Sequence, residues 1–410
     1  MQLLISTGLA LLIVFGLGAL IISSQRSRVI RRLLVAGLVL RVTGSLVYFG
    51  ILETAYNTAD YNRYIREGAM AVEATGGPQG ADYSIPESYG GRWWGTPSIS
   101  VLTSWVMRVV GTEAVPLMVV FGGISFFAAS CFCVAFQHAF PEIAPRTYTA
   151  WLMLYPSLWF WPSPVGKDGP VLLGLGLAFL GVVGAKGRRN YLWIALGMAI
   201  TLTVRPQYAF VFVAAVLLGL LLGRPSAARG WGKPVAVAVL AAGAAYVVSL
   251  SANFLGFDVT AVQETAEWID RRGEATAIGG SAFAAASNPL VGIANVLFRP
   301  FPWEARGGLV LLSSAEVGVL WILLYRRRHA VAMFVRRYRK TEAFWISLLF
   351  TLALAAAVGM AVGNFGTLVR QRVHLYPFLF LIAASVPIRR APRRRRHTHP
   401  AVGAPPPIPA

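Results

Sequence analysis

The stretch WLMLYPSLWFWPSPVGKDGPVLLGLGLAFLGVVGA, residues 151–185, decides how the chain is read. Both of its halves are apolar, and Lys167 and Asp168 stand side by side between them. A bilayer rejects such a pair unless it sits at an interface or in a wet cavity. A soluble core tolerates one only with partners. The surroundings of the stretch choose between these settings.

The surroundings are membrane-like. Of 410 residues, 56% are hydrophobic and 13% charged, about half the charged share of a soluble domain. Apolar runs near 20 residues recur along the chain, which makes it an all-α polytopic membrane protein. The net charge of +20 could point to nucleic acid on a soluble protein. Here the basic runs flank apolar segments, where cytoplasmic loops collect Lys and Arg, so nucleic acid is set aside as a partner. Cys131 and Cys133 lie inside one apolar run and form neither a zinc site nor a disulfide framework.

Working outward, about 11 transmembrane helices are expected, at 2–23, 33–51, 115–138, 148–163, 170–185, two halves of 190–222 joined at Arg205, 234–251, 307–325, 344–363 and 374–387. The break at Arg205–Pro206 follows because proline ends a helix and arginine avoids lipid. Polar loops fill 52–98 and 252–305, and a short apolar stretch at 99–111 is expected along the interface. Residues 1–388 make one transmembrane domain, and 389–410 a basic, Pro-rich disordered tail. With the N-terminus outside and the C-terminus inside, 24 Lys and Arg fall in inner loops and 12 in outer ones. Acidic residues divide the other way, 14 outside and two inside. This obeys the positive-inside rule and places the protein in the cell membrane. Only Arg41 and Glu316 sit well inside a span.

In this topology Lys167, Asp168, Arg205, Arg370 and Arg372 all reach the outer face, from three separate hairpins. Each has a plain reading. Lys167–Asp168 fits a capped hairpin, because an acid near a helix N-terminus is favourable. The arginines fit interfacial side chains that snorkel to the headgroups. Together, four cations on the face that the charge bias disfavours point to an anionic ligand. Asp60, in the first outer loop, serves either as a helix N-cap or as a carboxylate base. Trp93 and Trp94 suit an interface belt or sugar stacking.

The pattern Asp60-x3-Tyr64-x4-Ala69 in the first outer loop resembles the polyprenyl-phosphate-sugar glycosyltransferases of the GT-C class, which include the protein mannosyltransferases and the lipid A aminoarabinose transferases. The segments PSLWFWPSPVGKDGP, VRPQ, GTLVRQR and FRPFPWEAR are similar to membrane proteins of bacterial exopolysaccharide clusters. The chain differs from the class in having two spans before the loop, and a single acid where an acidic pair is usual.

The resemblance implies a GT-C-like bundle that moves a sugar from a lipid-phosphate donor to a glycan or lipid acceptor on the outer face. Asp60 would be the base. Lys167, Arg205, Arg370 and Arg372 would bind the donor phosphate, and membrane lipids surround the site. Asp168 would orient Lys167 or Arg205, or hold a divalent cation. Tyr64, Trp93, Trp94, Glu264 and Glu267 would form the acceptor loops. Two other activities fit the same residues: a polysaccharide polymerase working on a lipid pyrophosphate, and a transporter or flippase of lipid-linked sugars.

Overall fold

The computed structural model describes residues 1–55, 60–74, 94–184, 188–223 and 282–383, with the backbone alone for 52–55, 60, 188 and 189. The expected span at 234–251, most of both polar loops and the tail at 389–410 lie outside the described residues.

The described chain is helical throughout and contains no strand, with one isolated bridge between Ala282 and Asn364. The helices are α1 (Gln2–Ser24), α2 (Arg28–Ala55), α3 (Asp60–Ala74), α4 (Thr96–Val110), α5 (Ala114–Ala139), α6 (Arg146–Leu154), α7 (Pro156–Phe160) and α8 (Asp168–Val183). They continue with α9 (Arg188–Val204), α10 (Pro206–Leu222), α11 (Pro289–Phe298), α12 (Gly308–Arg326), α13 (Arg328–Tyr338), α14 (Glu342–Ala361), α15 (Phe365–Arg372) and α16 (Tyr376–Ala383). Five are long and apolar enough to cross a membrane: α1, residues Arg28–Ile51 of α2, α5, α12 and α14. Four shorter apolar helices accompany them. This is the build of a helical membrane protein.

α5 is the centre of the N-terminal half, with 72% of its most apolar window buried, against 17% for α1. It packs against α1, α2 and α8. α8 continues onto α9, and α14 holds α10 and α11. The α8–α9 contact is very close. A Cβ on Gly197 would lie 2.4 Å from the Gly174 carbonyl oxygen and 2.4 Å from the Ala178 nitrogen. Glycine is needed there because membrane helices gain by backbone approach, with no hydrophobic drive between them.

Three of the four shorter helices, α8, α9 and α10, follow one another in the chain. The 16 residues of α8 rise about 24 Å, and the 17 of α10 about 26 Å, against a hydrocarbon core of about 30 Å. Helices of this length bring polar ends toward the membrane.

The expected span at 148–163 is broken. α6 ends at Leu154 and α7 restarts at Pro156, with Tyr155 extended between them. Proline 156 has no N–H to give the Leu152 carbonyl four residues back. Arg41 of α2 supplies the missing donors: Nη2 donates to the Leu152 oxygen at 2.8 Å and Nη1 to the Met153 oxygen at 3.4 Å. Past the break, the Ser157 N–H donates to Glu316 Oε1 of α12 at 2.8 Å, and the Ser157 hydroxyl donates to Oε2. The two charges expected inside spans thus cap the two ends of one broken helix. A cation meets the carbonyl end and an anion the N–H end, the favourable sense in each case.

α11 falls within the region read as a polar loop, 252–305. It is apolar, capped by the Asn288 side chain accepting from the Val291 N–H at 3.0 Å, and packed against α14. Pro289 and Asn288 are its sequence signature. The stretch at 99–111 is also more than an interfacial strip: Ile99, Ser100, Thr103, Ser104 and Met107 of α4 are buried, and α3 packs on it.

Candidate functional site

Asp168 is the first residue of α8 and 2% exposed. It makes no cap for its own helix. Its oxygens turn to two other elements. Arg205, in the one-residue break between α9 and α10, donates from Nη2 to Oδ1 at 2.8 Å. Arg370, near the end of α15, donates from Nε to Oδ2. Asp168 thus stands where the capped-hairpin reading puts an acid, in the first turn of its helix, and its carboxylate also joins segments 168, 205 and 370.

Each position has a local cause. Pro206 ends the preceding helix and leaves Arg205 outside helical geometry, with its side chain free to point across the bundle. The Asn364 side chain accepts from the Gly366 and Thr367 N–H groups, starting α15 so that Arg370 lies in its last turn. Gly169 lets the start of α8 lie against the preceding loop: a Cβ there would come within 2.5 Å of the Pro162 carbonyl oxygen.

The rest of the cluster completes the junction. Arg205 Nη1 donates to the Tyr208 hydroxyl at 2.9 Å, and that hydroxyl donates to Gln371 Oε1 at 3.1 Å. His374 Nε2 is 3.7 Å from Asp168 Oδ1, and its ring stands edge-on to Tyr208. Lys167 Nζ donates to the Thr96 hydroxyl at 2.7 Å, at the start of α4. The Gly95 N–H beside it donates to the Thr203 carbonyl at 2.7 Å, tying α4 to the end of α9. Among the described residues, Arg205 and Arg370 thus meet on one carboxylate, with Lys167 next to it in sequence and held by Thr96.

The acidic group does not fit a divalent cation. Both Asp168 oxygens accept from guanidinium groups, and no group of three His, Cys, Asp or Glu side chains occurs among the described residues. Of the two roles expected for Asp168, orientation matches the geometry, and the groups it orients are Arg205 and Arg370.

Arg372 belongs elsewhere. Two residues apart on one helix do not face the same way. Arg372 is 1% exposed and donates from Nη2 to the Arg299 carbonyl, with Glu316 and Tyr376 nearby. Arg299 lies over the stacked rings of Phe283 and Phe365 and donates from Nε to Glu304 Oε1 at 2.8 Å. Burial works against the charged Glu304 carboxyl, but the Arg299 hydrogen bonds and the Phe301 N–H prevail and hold it below the usual carboxylate range.

Asp60 is the first residue of α3, and its side chain lies outside the described residues. The next residue, Tyr61, is buried against Tyr48 and Phe49, and Tyr48 also meets Phe160 and Trp161. This aromatic group links the start of α3 to the segment that leads into Lys167. Tyr64 is buried, not presented to an acceptor, and Glu67 accepts from Arg63 Nε and from the Ser100 hydroxyl. Trp94 is half-buried next to Gly95, while Trp93, Glu264 and Glu267 lie outside the described residues.

The sequence reading missed Thr96, Tyr208, Gln371 and His374. Tyr208 and His374 stand within three residues of expected arginines, in RPQY and RQRVH. Thr96 carried no signal. No family model matches the chain, and no curated protein and no solved structure matches it either.

Proposed function

We propose that the protein is a membrane glycosyltransferase that moves a sugar from a polyprenyl-phosphate donor to an acceptor on the outer face of the cell membrane. One observation carries this reading: Arg205 and Arg370 meet on the carboxylate of Asp168, with Lys167 next to it in sequence, where three short apolar helices begin or end. A group of fixed cations suits a lipid phosphate, and the planar guanidinium fork matches its oxygens.

In the reaction an acceptor hydroxyl attacks the anomeric carbon. The new carbon–oxygen bond forms as the bond to the phosphate oxygen breaks, through an oxocarbenium-like transition state. Asp60 takes the hydroxyl proton, and polyprenyl phosphate leaves with added negative charge. Lys167, Arg205 and Arg370 stabilise that charge, by about 3 kcal/mol for each well-placed donor. Asp168 holds both arginines in place before the charge develops, so little reorganisation is needed. Arg372 acts at one remove, through the Arg299 carbonyl. The aromatic contact of Tyr61 with Tyr48 supports the placing of Asp60 near this cluster.

Asp60→Asn keeps the side-chain shape and removes its basicity. Sugar transfer by membranes bearing this variant is expected to fall by about 10² or more, with donor binding unchanged. Near-normal transfer would reject the base assignment. It would favour the second reading, a polymerase acting on a lipid pyrophosphate, which the same cations fit and which needs no dedicated carboxylate base.

The site's position on the outer face rests on eleven spans with the N-terminus out. A cysteine at Gly80 should react with an impermeant thiol reagent in intact cells, and one at Arg337 should not. Reversed labelling would move the site to the inner face and end the proposal for an outer-leaflet donor.

A further inference from the structure

A crevice of about 350 Å3 opens between α1 and α2, remote in sequence from the Asp168 cluster. Phe15 and Ile22 of α1 line one side, at a spacing of seven residues. Arg31, Val35 and Leu38 of α2 line the other, at i, i+4 and i+7. Each set is one stripe of its helix. The helices are joined by residues 25–27 and run antiparallel, so Arg31 lies beside Ile22 and Ser23 while Leu38 lies toward Phe15. The crevice is therefore charged at its hairpin end and apolar along its length. Leu38 is 2% exposed and forms its floor, and a Cβ on Gly18 would come within 2.7 Å of Leu38 Cδ2. Phe15 and Val35, 39% and 48% exposed, form open walls.

Arg26, Arg28, Arg31 and Arg32 surround the hairpin, and no Asp or Glu occurs before Glu53. Among the described residues, none of these four arginines forms an ion pair with a carboxylate.

We infer that this crevice binds one anionic phospholipid, with an acyl chain between α1 and α2 and the headgroup phosphate at Arg31. An apolar slot that begins at an arginine matches the order of parts in such a lipid. From Ser23 to Phe15 the slot is about 12 Å deep at 1.5 Å per residue, enough for the upper part of one chain. Arg31 is suited to the headgroup because its fork can hold two phosphate oxygens. The site serves lipid binding and takes no part in sugar transfer.

The test uses the full chain in micelles containing equal amounts of dioleoyl phosphatidylglycerol and dioleoyl phosphatidylcholine, read by native mass spectrometry. The wild type is expected to retain one phosphatidylglycerol in preference to phosphatidylcholine. Arg31→Gln should lower that preference by about tenfold, the order expected for one charge-assisted contact, and Arg31→Lys should keep most of it. Val35→Trp fills the slot with the charge intact and should lose the retained lipid. Arg26→Gln removes an equal charge outside the slot and should behave as wild type. Thermal midpoints of all variants establish that each is folded. Equal retention of both lipids by the wild type would overturn the proposal. So would equal losses in Arg26→Gln and Arg31→Gln, or undiminished retention in Val35→Trp, since each would mean that headgroups gather on a basic surface with no chain in the crevice.

Discussion

Asp168→Ala is expected to destabilise the protein by about 3–5 kcal/mol, the usual result of removing one partner from a buried ion pair. Arg205 and Arg370 would then face each other across an empty site, since both donate to this carboxylate. The loss should appear as a lower thermal midpoint in detergent, together with a loss of sugar transfer of about 10² or more, because two of the three donors of the proposed phosphate site would lose their anchor. Asp168→Asn keeps one acceptor oxygen and should fall between Asp168→Ala and wild type in both measurements. Lys167→Ala separates structure from function, because Lys167 donates to the Thr96 hydroxyl, whereas the Asp168 oxygens accept from Arg205 and Arg370. It should lower transfer with a smaller change in midpoint. An Asp168→Ala protein as stable as wild type would mean that the two arginines do not depend on this carboxylate.

The second large effect is expected at the broken helix. Arg41→Met removes the donor that meets the Leu152 and Met153 carbonyls. Each orphaned buried carbonyl costs about 1–3 kcal/mol. Glu316→Leu should cost a similar amount by stranding the Ser157 N–H and hydroxyl. Glu316→Gln keeps an acceptor and should be milder. Pro156→Ala restores an N–H within reach of Leu152, so it should recover part of the Arg41→Met loss, and a double-mutant cycle would read the coupling. Strict additivity of Arg41→Met and Pro156→Ala would show that the arginine does not serve the break. The usual expectation for a charge inside a span is a functional site. Here Arg41 and Glu316 are explained by the backbone groups that Pro156 leaves exposed.

Much of the fold was legible because hydropathy sets helix lengths in a membrane. The helices α1, α5, α12 and α14 begin and end within two residues of the expected spans, and the break at Arg205 was signalled by a proline inside a long apolar run. Pro156 carries the same signal within the expected 148–163 span, but apolar residues on both sides of it mask the break. α11 was hidden by its length, since ten residues fall below any spanning window. In the site, Lys167, Asp168, Arg205 and Arg370 stood out as charges where lipid disfavours them. The pairing could not be read, because it depends on which way each helix end faces. Arg370 and Arg372 look alike in GTLVRQR, yet a spacing of two sends one to Asp168 and the other to the Arg299 carbonyl.

The central claim is that this cluster holds a lipid phosphate bearing a sugar. The most direct measurement is mass spectrometry of the lipids that co-purify with the full chain. Wild type and Asp60→Asn should both carry a polyprenyl-phosphate-linked sugar, and Lys167→Ala should carry about tenfold less, as expected for one lost charge-assisted contact. A pyrophosphate-linked oligosaccharide in its place would turn the assignment to the polymerase. Ordinary phospholipids alone, in equal amounts in all three proteins, would contradict both.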